Sequence, residues 1–217
     1  MFDTANARRL MVEGQVRTAD VTDVRVLDAM STLPRERFLP PALAQLAYVD
    51  GDIPVARGRS LLKPMVLAKL VQAARIGSDD RVLDVGCATG YSSALLARLA
   101  GLVIALEEDA SLAGLAREAL AAVGARNVEV VTGPLIAGWP AGGRYDVILL
   151  NGSTEITPEA LGAQLKANGR LLGIHGSSPA SKAMIYYRTE GYLLGRPIFD
   201  ATARLLPGFA APLQFVF

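Results

Sequence analysis

The sequence predicts an α/β protein: a doubly wound, mostly parallel sheet covered by helices, with an N-terminal helical extension. Three observations predict it. From residue 64 onward, strand-like runs alternate with helical patterns. The runs "RVLDVG", "LVIALE" and "YDVILLNG" are almost wholly apolar, as strands covered on both faces must be. The first of them leads through closely spaced glycines into a helical pattern, the usual form of a sheet-to-helix turn at a binding crevice.

The elements follow in order. "TANARRLMVEGQV" and "TDVRVLDAMSTL" space their apolar residues as helices, with Thr22 and Asp23 as caps for the second. "LPRERFLPPALAQLAY" is interrupted by Pro34, Pro40 and Pro41, which predicts short helical turns and loop. "VDGDIPVARG" reads as a loop or a short hairpin. "PMVLAKLVQAARI" is a helix with proline at its start. After "RVLDVG" come a helix in "SSALLARLA", a strand in "LVIALE", and a helix in "ASLAGLAREALAAVG" that ends in glycine. "NVEVVTG" and "YDVILLNG" are strands, "TPEALGAQLKANG" a helix and "GRLLGIHG" a strand. "YYRTEGYLLGRPIFD" and "APLQFVF" are expected to close the sheet as two strands, possible partners in an antiparallel pair. The 217 residues suit a single domain, with residues 1–63 as cap and substrate segment and 64–217 as a ligand-binding core.

Composition narrows the function classes. With 51% hydrophobic residues the chain can fill one large core. Its 22 basic and 21 acidic residues leave a net charge of +1, which gives no electrostatic reason to expect nucleic acid or an anionic membrane. The single cysteine, Cys87, excludes an intrachain disulfide and a cysteine-based zinc site. It is expected to fill the glycine turn, and no metal is expected. The N-terminal stretch has no apolar segment of the secretory kind. "ALLARLAGLVIAL" is too short and interrupted to span a bilayer, so a cytoplasmic protein is expected.

"RVLDVGCATGYSSALL" carries the chemistry. Glycines at 86 and 90 let backbone N–H groups approach a ligand. A dinucleotide fingerprint needs three glycines spaced G-x-G-x-x-G, but Ala88 and Tyr91 stand at its second and third positions. Asp84 puts a carboxylate just before the turn, suited to an ammonium and repellent to a diphosphate. Glu107 ends the next strand, 21 residues after Gly86, where a carboxylate can accept from both hydroxyls of a ribose. Ammonium at one acid and ribose at the other describe S-adenosylmethionine.

With those residues in place, the chain resembles the protein-L-isoaspartate O-methyltransferases. The likeness includes "MVEGQV", "VLDAMSTLPRERFLP", "LAYVDGDIP", the glycine turn, "NVEVVTG", "AGWP", "YDVILLNGSTEITPEALGAQLKANGRLL" and "LQFVF". The resemblance implies a class I methyltransferase, Rossmann-like and seven-stranded with one antiparallel strand. Its cofactor would be S-adenosyl-L-methionine, and its partner a protein or peptide bearing isoaspartate, whose carboxylate is methylated in protein repair. Asp84, Gly86, Ala88 and Gly90 would line the methionine half of the cofactor. Glu107 would hold the ribose, Glu108 would lie by the adenine, and Gly133, Pro134 and Leu135 would border it. Asn151 would end the fourth strand of the core near the transfer site.

Two departures stand out. Pro134 occupies a position where the family usually has an acid. The family's T-I-S-Q-P, whose serine is placed at the transfer site, here reads Ser60-Leu61-Leu62-Lys63-Pro64. Ser60 keeps a hydroxyl and is the catalytic candidate, with Leu62 and Lys63 the substrate-side candidates. Methyl transfer to an ionised carboxylate needs alignment and exclusion of water more than a base or a metal. A serine there would serve chiefly to hold the carboxylate, and Lys63 could supply a charge in its place. Two alternatives therefore stay open: a methyltransferase of the same fold with another acceptor, or a weak or inactive descendant that binds cofactor or a partner. His175, Trp139 and the late tyrosines are expected to be structural.

Overall fold

The computed structural model describes residues 3–189 and 192–212. Helix α1, Thr4–Met11, is capped by Asp3, whose carboxylate accepts from the Asn6 N–H at 3.0 Å. It loosens into a π turn at Val12–Val16 and tightens at Arg17–Ala19, so the predicted helix exists but changes winding. Helix α2, Val24–Thr32, is capped by Asp23 rather than Thr22 and buries Val26, Leu27, Ala29 and Met30. The proline-broken segment forms short 3-10 turns, Arg35–Phe38 and Pro41–Leu46. Strands β1, Ile53–Ala56, and β2, Arg59–Leu61, make a separate antiparallel hairpin.

Then come α3 (Pro64–Ala74), β3 (Arg81–Val85), α4 (Tyr91–Ala97), β4 (Leu102–Glu107), α5 (Ala110–Ala122) and β5 (Val128–Thr132). They are followed by β6 (Tyr145–Thr154), α6 (Glu159–Gly162), β7 (Leu165–His175), β8 (Lys182–Arg188) and β9 (Leu193–Asp200). The seven-stranded sheet runs β5-β4-β3-β6-β7-β8-β9, parallel from β5 to β7. β8 is antiparallel to both of its neighbours and is the one reversed strand among those described. The chain winds outward from β3 through β4 to β5, then returns to place β6 on β3's other side. That reversal opens a crevice at the carboxyl ends of β3, β4 and β6.

Strand parity sets what faces that crevice. Leu83, Val85, Ile104, Leu106, Ile148 and Leu150 join one buried cluster. Val82, Val103, Ala105, Val147 and Leu149 face the other, together with α3, α4 and the N-terminal extension. Counting by twos along that second face reaches Asp84 on β3, Glu107 on β4 and Asn151 on β6.

Two expectations are corrected. The helix expected over "TPEALGAQLKANG" is the single turn of α6, and Leu165 is already strand. Gln164 stops it: its amide donates to the Ala137 and Ala160 carbonyls and accepts from the Trp139 N–H, while its own carbonyl takes the Tyr145 N–H. The stretch "YYRTEGYLLGRPIFD", expected as one closing strand, holds the end of β8 and all of β9, which pair as an antiparallel hairpin. The "LQFVF" end, residues 213–217, lies outside the described residues.

Beyond β9 the chain recrosses β6. The Ser153 N–H donates to the Arg204 carbonyl at 2.8 Å, and the Leu206 N–H donates to the Ser153 carbonyl at 2.9 Å. Gly152 makes this crossing possible, because a Cβ there would meet Leu206 Cγ at 2.6 Å and the Arg204 carbonyl oxygen at 2.8 Å. Gly152→Ala is expected to lower stability by about 1–3 kcal/mol, the range for overpacking. Thermal unfolding checks this, and an unchanged midpoint would mean that residues 204–206 yield freely.

Candidate active site

The glycine turn is held by β4. Gly86 and Cys87 donate their N–H groups to the Leu106 carbonyl at 2.8 and 3.2 Å, and Gly90 closes the turn on the Cys87 carbonyl. Gly86, Ala88 and Gly90 have φ of +73°, +50° and +93°. For alanine the left-handed region costs about 1–2 kcal/mol, so the turn carries strain at Ala88 that a glycine would remove. The signal was in the sequence: a non-glycine at the middle of the turn.

Asp84 is fully buried. Its carboxylate accepts from Ser92 Oγ at 2.7 Å, from Ser93 Oγ and from Asn151 Nδ2. Burial pushes its carboxyl up to about 6, against the lowering effect of these donors. Both serines stand in the first turn of α4, so Asp84 ties the glycine turn's helix to β3 and β6.

Glu107 is the centre of the site and is also fully buried. Its Oε1 accepts from the N–H groups of Glu108 and Asp109 at 2.9 and 3.1 Å, and its Oε2 from that of Ala88 at 2.9 Å. Arg59, on β2, completes the shell: Nε lies 3.0 and 3.2 Å from the two oxygens and Nη2 lies 3.0 Å from Oε1. Arg59 is 5% exposed, so this is a buried ion pair. Sequence reasoning missed Arg59, because nothing local links it to an acid 48 residues away.

Ser60 and Leu62 are buried beside it. Ser60 Oγ has no hydrogen-bond partner, and neither has the hydroxyl of Tyr91. Both residues line a narrow cavity of about 10 Å³ with Leu62, Gly86, Ser92 and Asn151. That volume holds at most one water. Arg35, wholly buried, donates from Nη2 to the Leu62 carbonyl at 2.8 Å and lies 4.5 Å from the Tyr91 ring centroid. It fixes the backbone that leads from β2 into α3.

The structure thus gathers Ser60, Leu62, Gly86 and Asn151 around one cavity, with Asp84, Ala88 and Glu107 packed against it. Gly90 sits behind the turn, where a Cβ would meet Ala116 and Leu120 of α5. Lys63 points elsewhere: its Nζ pairs with Asp50 at 3.0 Å and its N–H donates to Asp52, beside a separate 410 Å³ cavity. It therefore supplies no charge at the position of the family's serine. Glu108 and Pro134 are exposed, Gly133 donates its N–H to the Glu107 carbonyl, and Leu135 is buried with its Cδ1 3.5 Å from a Cβ built on Gly86. His175 ends β7 and meets Thr154 Oγ1 at 3.3 Å. Trp139 packs in the core cluster of β3 and β6, as expected.

The sheet order, the turn after its central strand and the acids at the ends of β3 and β4 define a class I methyltransferase. A family model described as protein-L-isoaspartate(D-aspartate) O-methyltransferase matches residues 6–192, and the chain belongs to that family. A protein-L-isoaspartate O-methyltransferase of Methylorubrum extorquens is 44% identical over 170 residues, covering 78% of this chain and 74% of the relative. One from Methanoregula boonei is 37% identical over 171 residues, 79% of each chain. A solved protein-L-isoaspartate O-methyltransferase superposes with a TM-score of 0.80 at 23% identity, over 93% of this chain and 66% of that one. A putative one from Plasmodium falciparum, solved with S-adenosyl-L-homocysteine, gives 0.79 at 18% identity over 92% and 97%. These two likenesses speak for the fold.

The residue types that would hold S-adenosylmethionine are present, but in this arrangement they are engaged with one another. Glu107 has no acceptor left for a ribose, and the cavity beside Gly86 is about 10 Å³, whereas pockets for ligands of that size hold roughly 300–1,000 Å³. The arrangement described does not accommodate the cofactor.

Proposed function

We propose that this chain uses S-adenosylmethionine to methylate the carboxylate of isoaspartyl residues in proteins or peptides, the activity its family is named for. The observation that carries the reading is the convergence of Asp84, Glu107 and Asn151 on one face of the sheet at the glycine turn, in a chain of this family. Asp84, Gly86, Ala88 and Gly90 are assigned to the methionine half, Glu107 to the ribose, and Glu108 with Gly133, Pro134 and Leu135 to the adenine edge. Ser60 is assigned to the substrate carboxylate: with Tyr91 it is one of two buried hydroxyls at the cavity that lack a partner, and it stands in the segment that corresponds to the family's T-I-S-Q-P. Leu62 and Asn151 border the same cavity, whereas Lys63 lines the neighbouring one with Asp50 and is assigned to the approach of the substrate chain. Among the described residues no helix is long and apolar enough to cross a membrane, which supports a cytoplasmic location.

Methyl incorporation into an isoaspartyl peptide, with none into the matched aspartyl peptide, is the expected result. Restoring the family's serine and glutamine through Leu62→Ser and Lys63→Gln is expected to raise it by about 10- to 150-fold, the range for a hydrogen bond to a charged group. Incorporation that is absent in both proteins at every concentration tested removes isoaspartate as the acceptor.

A second reading, a partner-binding descendant without turnover, is favoured by the pairing of Arg59 with Glu107 together with the loss of the serine at Leu62. Under it, S-adenosylhomocysteine fails to bind even when the site is opened.

A further inference from the structure

We propose that Arg59 and Leu206 are intramolecular occupants of the cofactor site, so that the protein rests in a self-closed state which the cofactor must open. The proposal builds on the methyl-donor reading above.

The first observation is the saturation of Glu107. A carboxylate offers about four lone-pair positions. Three are taken by the N–H groups of Ala88, Glu108 and Asp109, which the turn and the end of β4 fix in place. Arg59 takes what remains with Nε and Nη2. With those three N–H groups fixed, a ribose hydroxyl can reach the carboxylate only at the position on Oε2 that Arg59 covers, and only Arg59 can release it. It is placed to do so. β2 belongs to a two-stranded hairpin apart from the main sheet, it starts just after Gly58 (φ +72°), and its register with β1 is irregular between Pro54 and Ala56. The hairpin or the side chain can swing away without breaking the seven-stranded ladder.

The second observation comes from the opposite side. Glycine at 86 leaves a bare backbone face on which a ligand can lie. Here that face is covered: a Cβ built on Gly86 would meet Leu206 Cδ2 at 3.1 Å. Leu206 is 2% exposed and is held there by the crossing of residues 204–206 over Ser153. Two segments distant in sequence thus close on the glycine turn, Arg59 by charge at Glu107 and Leu206 by shape at Gly86.

The experiment is calorimetric titration of S-adenosylhomocysteine into the native protein, Arg59→Ala and Arg59→Lys. Arg59→Ala is expected to bind at least tenfold tighter than the native chain, equivalent to a native open fraction of about one in ten or less. Arg59→Lys, which keeps the charge but loses the fork, is expected to fall between them. Ligand should also raise the thermal midpoint of Arg59→Ala by more than that of the native protein. If Arg59→Ala does not fold, Arg59→Gln, which keeps part of the stem and an uncharged amide donor, takes its place. Native binding with Arg59→Ala no tighter overturns the self-closure and leaves the methyl-donor reading standing. No binding by either protein at millimolar ligand overturns both.

Discussion

Replacing Asp84 by alanine is expected to lower the stability of the fold by about 3–5 kcal/mol at pH 7. The side chain is fully buried and serves as acceptor for Ser92, Ser93 and Asn151 at once. Each buried polar group left without a partner costs about 1–3 kcal/mol, and little room exists for water to take over. Asp84→Asn separates size from charge, since the amide keeps an acceptor in nearly the same volume. Its test is the pH dependence. Burial raises the Asp84 carboxyl from 3.8 to about 6, so the folded protein keeps a proton that the unfolded chain releases across that window. The contribution of this group to stability is therefore full below about pH 4. It falls as pH rises to about 6, by about 3 kcal/mol in all at 1.36 kcal/mol per unit, and is level above. Urea unfolding of native protein and Asp84→Asn from pH 4 to 7 reads the difference between them. The native protein should lose stability relative to the variant across that range. A difference that runs the other way would mean that the three donors outweigh burial.

The fold was legible where local and global signals agree. β3 and β4 are apolar runs that end in a glycine turn and in Glu107–Glu108, and α5 runs to a glycine at 124, so pattern and punctuation agree. The segment after Pro158 misled because Glu159–Gly162 and the residues after it favour helix locally. What ends the helix is Gln164, through bonds to residues 137 and 139 that no local pattern displays. That two acids meet at the glycine turn was legible from spacing alone: Asp84 before the turn and Glu107 at the end of the next strand. Their present partners were not. Arg59 reaches Glu107 only because the hairpin folds over the turn, and Leu206 reaches Gly86 only because the chain recrosses β6. Lys63 looked like a substitute for a lost contact because it stands one residue from Leu62. Alternation along an extended segment sends neighbouring side chains to opposite sides, and Lys63 goes to Asp50.

Glu107→Ala is expected to destabilise the protein by about 3–5 kcal/mol, the cost of breaking a buried pair from one side, and to abolish binding of S-adenosylhomocysteine. The stability loss should exceed that of Arg59→Ala, and the asymmetry follows from the contacts. Without Arg59, the carboxylate of Glu107 still accepts from the N–H groups of Ala88, Glu108 and Asp109. Without Glu107, the guanidinium of Arg59 is left 5% exposed with one remaining bond, to the Gly58 carbonyl, and those three N–H groups lose their acceptor. The double variant should be more stable than the sum of the two single losses predicts, because removing Arg59 takes away the stranded charge. Equilibrium urea unfolding of the four proteins closes that cycle. Equal losses in the two single variants, with no coupling in the double, would show that water already shares the pair, and the case for a closed site would weaken with it. The same asymmetry separates the two roles of Glu107. Activity lost in Glu107→Ala reports on both the proposed ribose contact and the integrity of the turn. A gain of ligand affinity in Arg59→Ala, set against a modest loss of stability, isolates the site from the fold.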